Sequence, residues 1–104
     1  MQFDKRKVYT ERMTDALPVL RASMSLTQAM LAGKIGVGRQ QIAAIENKKR
    51  LMSWSIFLSL FLVFYLNEST RKMLLMFDIC TGALISEIEG SADFSDEFDK
   101  ARRI

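Results

Sequence analysis

Two glycines one residue apart, Gly36 and Gly38 in TQAMLAGKIGVGRQQIAAIE (residues 27–46), divide what would otherwise be one continuous helical stretch. Glycine is the residue that accepts the left-handed conformation at the end of a helix, so Gly36 is expected to stop the first segment. Gly38 then takes the N-cap of the second, where glycine ranks below serine but well above an apolar residue. Ser25 or Thr27 caps the first segment, in which Leu31 and Ile35 lie one turn apart. In the second, Val37, Ile42 and Ile45 form the inward stripe, which leaves Arg39, Gln40, Gln41, Ala43 and Ala44 facing elsewhere. A tight turn between two short amphipathic helices allows few architectures, because the two can bury their apolar stripes only by sharing a core with further helices.

Those further helices are legible on either side. Leu17, Leu20 and Met24 recur at helical spacing after Thr14 and Asp15, which offer an N-cap. Pro18 is tolerated if it falls in the first turn, so this helix is expected to start near residue 15, preceded by a basic arm over residues 1–13. After Asn47–Arg50, Ser53 caps a segment, WSIFLSLFLVFYL, that is apolar almost all round. Its unbroken stretch is shorter than the ~20 residues a bilayer needs, which favours a buried helix over a membrane span. Trp54, Phe57, Phe61, Phe64 and Tyr65 belong to it and are assigned to the core or to a contact between two copies. Asn67–Thr70 form a turn or cap before a fifth helix with Met73, Leu74 and Phe77 inward. ALISEI is open between strand and helix. In SADFSDEFDKARRI, Phe94, Phe98 and Ala101 align at i, i+4, i+7, with Asp96 placed to pair with Lys100. The expected fold class is all-α: a five-helix domain over residues 14–79, with an acidic extension over 80–104.

Composition narrows the function. The chain of 104 residues has no histidine and one cysteine, Cys80, which excludes a Ser-His-Asp triad, a Cys-His pair, a His/Cys zinc site and an internal disulfide. No Asp/Glu/Lys/Tyr cluster falls at a catalytic spacing, so neither enzymatic activity nor a cofactor or metal is expected. Charge is divided along the chain: twelve Lys and Arg stand against five acids in residues 1–72, and three against seven in residues 73–104. A basic body with an acidic tail suits a polyanionic partner for the body. The charged N-terminus lacks the apolar core of a signal peptide, and a cytoplasmic location is expected.

The order of capped helix, glycine turn, second helix with a polar N-terminal face and basic loop is that of a helix-turn-helix. LRASMSLTQAMLAGKIGVGRQQIAAIENKKR resembles the phage repressor and Cro-like helix-turn-helix regulators, the xenobiotic-response-element family. The match lies in its leucine-arginine, leucine-threonine-glutamine, glycine-valine, arginine-glutamine and isoleucine-glutamate steps. The resemblance implies a recognition helix over about residues 38–46, with Arg39, Gln40 and Ala44 at base-reading positions and Gln41 at their border. Arg suits guanine, Gln suits adenine, and an alanine methyl can touch that of thymine. It also implies Thr27 and Gln28 at the backbone, with Gln28 bracing residue 39 or 40, and phosphate contacts from Arg21, Lys48, Lys49 and Arg50. The expected partner is double-stranded DNA, read as a palindromic operator by a homodimer. The competing reading is a protein-interaction module on the same fold, an antitoxin or adaptor. Two positions depart from the family: Gly38 where serine is common, and Lys48 where glycine is common.

Overall fold

A computed structural model describes residues 4–90, and all its elements are helices: α1 Lys5–Ser23, α2 Gln28–Ile35, α3 Arg39–Glu46, α4 Trp54–Leu66, α5 Glu68–Met76 and α6 Gly82–Glu89. The all-helical class is as expected. The positions of Phe94, Phe98 and Ala101, and the Asp96 to Lys100 pairing, lie outside the described residues.

The first helix differs most from its expectation. It begins at Lys5, not near residue 15, so residues 5–13 are helix rather than arm. Asp4 is the N-cap, accepting from the amides of Arg6 and Lys7 at 3.0 and 3.4 Å. Thr14 caps nothing; its hydroxyl donates to the Thr10 carbonyl inside the helix at 2.7 Å. Pro18 therefore sits deep in α1, where a proline costs ~3 kcal/mol. What offsets it is a continuous inward stripe, Tyr9, Met13, Ala16, Leu17 and Leu20, all buried. At roughly 1.5–3 kcal/mol for each large apolar side chain buried, Tyr9 and Met13 together match or exceed the cost of the proline.

The caps between the next helices read as expected. Thr27 accepts from the Met30 amide at 3.1 Å, while Ser25 lies in the turn at φ +55°. Gly36 ends α2 at φ +78°. Ser53 caps α4 through the Ile56 amide, and Asn67 caps α5 through that of Thr70. Thr70 is fully buried, and its hydroxyl donates to the Phe64 carbonyl at 2.6 Å, satisfying one of the acceptors left open where α4 stops.

One core joins all six helices. Phe57, Leu60 and Phe64 of α4 are wholly buried at its centre with Leu17 and Leu20 of α1, Leu31 of α2, and Ile42 and Ile45 of α3. Phe77 is a correction: it lies at the end of α5 and is 37% exposed, and Ile79, brought round by Asp78 at φ +57°, is the buried residue instead. The packing continues past residue 79. Residues 82–89 form α6, whose Leu84 is wholly buried in the same core. Tyr9 and Thr81 share a 2.7 Å hydrogen bond, Arg6 pairs with Glu87 at 3.0 Å, and Arg12 donates to the Asp78 carbonyl at 2.7 Å. These bonds run α6 antiparallel to the first half of α1.

Candidate nucleic-acid interface

The second helix of the turn, α3, is eight residues long, and an isolated helix of that length is not stable in water. It is held by burial of Ile42 and Ile45, both with no exposed surface, against α1 and α2. The Val37 amide donates to the Ala32 carbonyl at 3.0 Å, closing the turn around Gly36. Gly38 has no side chain to offer as a cap. The Gln41 Oε1 takes up the reciprocal half of the arrangement, accepting from the Gly38 amide at 3.2 Å.

The C-terminal end of α3 is fastened by charge. Arg21 grips Glu46 with two parallel hydrogen bonds, Nε to Oε2 and Nη2 to Oε1, each 3.0 Å. Its Nη1 donates to the Leu26 carbonyl at 2.9 Å, and the Gln28 amide donates to Glu46 Oε1 at 3.3 Å. The Glu46 side chain is only 7% exposed and that of Arg21 21%. Hydrogen bonding to Glu46 raises the Arg21 pKa further, against the smaller lowering by burial. One carboxylate thus ties α3 to α1 and to the start of α2, and the arginine that holds it also reaches the α1–α2 turn.

That geometry gives Arg21 and Gln28 partners inside the molecule. All three Arg21 donor nitrogens are committed inside the molecule, and the Gln28 amide braces Glu46 rather than residue 39 or 40. Glu46 is the residue the sequence reading passed over. Its signal was an acid in the last turn, where it opposes the helix dipole and a nearby cation offsets the cost.

At the other end of α3 the side chains are bare. Arg39 and Gln40 are exposed, and neither makes a hydrogen bond or ion pair with any described residue. Gln41 and Ala44 are half-buried beside them. The loop after α3 carries Lys48, Lys49 and Arg50, all exposed. Lys48 pairs with Asp15 at 2.9 Å, while Lys49 and Arg50 have no partner among the described residues. The amides of Lys49 and Arg50 donate to the Ala44 carbonyl at 2.9 and 3.3 Å, so the loop folds back on the helix end. Lys48 holds φ +61°, the left-handed region that a glycine would occupy without strain. A lysine there bears the strain that glycine avoids.

The aromatic residues divide between core and surface. Phe57 and Phe64 are wholly buried and Phe61 nearly so. Trp54 is half-buried, stacked on Phe57 with ring centroids 4.8 Å apart. Tyr65 is 40% exposed, stacked on Phe61 with the Arg71 guanidinium 5.5 Å from its ring centre.

Residues 20–53 match the sequence profile of a family described as helix-turn-helix. This segment is similar to that helix-turn-helix family over about a third of the chain. The match begins at Leu20, beside the Arg21 clamp, and ends at Ser53, the cap of α4, so it contains the whole α2–turn–α3 unit and the basic loop. The family is DNA-binding and non-enzymatic. No curated protein and no solved structure matches the chain. Among the described residues, no helix is long and apolar enough to cross a membrane, and no group of His, Cys, Asp or Glu could hold a metal ion.

Proposed function

We propose that this helix-turn-helix reads a specific DNA sequence, with α3 in the major groove, and that the protein regulates transcription through that binding. The observation that carries the reading is the contrast along α3: Ile42, Ile45 and Glu46 fix the helix from behind, while Arg39 and Gln40 stand exposed and unpartnered at its leading end. A long polar side chain held on a rigid helix loses less freedom on binding than one on a loose loop. Arg39 supplies a fork matched to guanine O6 and N7, and Gln40 a donor–acceptor pair matched to adenine. Ala44, one turn beyond Gln40, brings a methyl to the same groove floor. Lys49 and Arg50 meet phosphates and set the register without reading bases. Gln41 borders both, with its amide nitrogen still free to donate once its oxygen has capped Gly38. A two-fold dimer reading a palindromic site completes the proposal, the recognition helices lying about 34 Å apart.

The test is selection of bound duplexes from a random pool, repeated with Arg39→Ala. The expected result is a defined motif that loses its preference at one base position, by ~1–3 kcal/mol, in the variant. Equal losses for the variant on selected and random DNA would refute base reading by Arg39. Lys49→Ala serves as the counterpart. It is expected to weaken every sequence alike and to flatten the salt dependence of log K by about 0.9.

A second reading, a partner-protein module, draws on Leu62, Leu66, Leu75 and Met76, each more than half exposed on α4 and α5. Failure to shift any duplex at low salt, with stoichiometric co-purification of one defined polypeptide, would favour it.

A further inference from the structure

Helix α4 is apolar on the face turned away from the core as well as on the face turned into it. Phe57, Leu60 and Phe64 are wholly buried, whereas Leu62 is 57% exposed, Leu66 71% and Tyr65 40%. Tyr65 is held in place from two sides, by its stack on Phe61 with ring centroids 5.6 Å apart and by the Arg71 guanidinium of α5, 5.5 Å from its ring centre. The strip continues onto α5. Thr70 and Leu74 take the inward face of that helix, while Leu75, one turn beyond Arg71, and Met76, one turn beyond Lys72, are 57% and 75% exposed.

We propose that this strip is where a second copy of the chain docks, with α4 and α5 of one copy against α4 and α5 of the other about a two-fold axis. The proposal rests on the DNA reading above, and it names the surface that would join the two recognition helices.

Area and charge carry it. The exposed parts of Leu62, Tyr65, Leu66, Leu75 and Met76 come to roughly 600 Å², the upper end of what a monomer leaves bare and most of the ~800 Å² per partner in a standard interface. The charges around the strip do not oppose self-association. Glu68 and Lys72 pair with each other at 3.6 Å, and Arg71 lies over Tyr65, so two identical strips meet without a field of one sign to part them. Any other partner would have to bring an apolar strip of matching length, whereas a second copy brings one by construction. Tyr65 and Arg71 are the residue types that anchor such contacts, and Tyr65 is already fixed before binding. Because α4 shares a core with Ile42 and Ile45 of α3, a contact through α4 would also set the distance between two recognition helices.

Sedimentation equilibrium of the full chain without DNA is the test, so a failure here is separate from any failure of base reading by Arg39. The parent is expected to reach the mass of two chains and to stop there. Leu62→Glu with Leu75→Glu is expected to raise the dimer dissociation constant on the order of a hundredfold, since a two-fold interface carries each change twice, with helical circular dichroism unchanged. Leu66→Ser, at a position too exposed to empty the core, should give a smaller rise in the same direction should the double variant fold poorly. Leu51→Glu is the control. Leu51 is 86% exposed but precedes α4, at the opposite end of that helix from Tyr65 and Leu66, and its change is expected to leave the dimer intact. A parent that stays at the mass of one chain would overturn the proposal and leave the strip to a different protein. A mass that keeps rising with concentration, a folded double variant that still forms the dimer, or an equal loss from Leu51→Glu would each overturn it as well.

Discussion

The two ends of α3, seven residues apart, have opposite fates. At its C-terminal end Glu46 is nearly buried and shares its carboxylate among Arg21 and Gln28. At its N-terminal end Arg39 and Gln40 are exposed and bonded to nothing described. The difference separates the work of positioning from the work of contact. A helix this short has no stiffness of its own, so whatever precision its free end brings to a ligand is borrowed from the anchored end and from Ile42 and Ile45.

The strongest way to break that contrast is Glu46→Ala. It strands a largely buried Arg21, and removing one partner of such a pair is expected to cost about 2–3 kcal/mol. Urea unfolding would show this as a lower midpoint with an unchanged m-value. Arg39→Ala should do the reverse. Stability is expected to stay within ~0.5 kcal/mol of the parent, while discrimination at one base position is lost. A comparable fall in stability for both variants would erase the distinction between the two ends.

Lys48→Gly sharpens the comparison at the exit from α3. Relief of the left-handed backbone at φ +61° is expected to stabilise the fold by about 1 kcal/mol, reduced by the loss of an Asp15 pair whose side chains are more than half exposed. The smallest effect belongs to the entrance. Gly38 has φ −78°, open to any residue, and an added Cβ would meet only the Gln40 Oε1 at an ordinary 3.8 Å. Gly38→Ser should add a few tenths of a kcal/mol through a side-chain cap, read as a small rise in Tm.

The site was legible where local chemistry decides. Gly36 at positive φ, the Thr27 and Ser53 caps, the inward Ile42 and Ile45 and the bare Arg39 and Gln40 all follow from residue type and helical spacing. It was not legible where the partner is distant in sequence. Nothing beside Arg21 in the sequence shows that Glu46, twenty-five residues on, holds its guanidinium. The early start of α1 was hidden for a related reason. Tyr9 looks like part of a polar arm because its partners, Phe57 on α4 and Thr81 before α6, come much later in the chain.

By itself, the sequence determined the periodic elements and the turn between α2 and α3, since glycine φ preference, capping and the 3.6-residue period act within one turn of the chain. Only the tertiary structure decided how far α1 extends, that α6 joins the same core, and which cations are spent on internal acids. Those outcomes depend on burial and ion pairing between segments that meet only when the chain has folded, and such energies outweigh local preferences of a few kcal/mol.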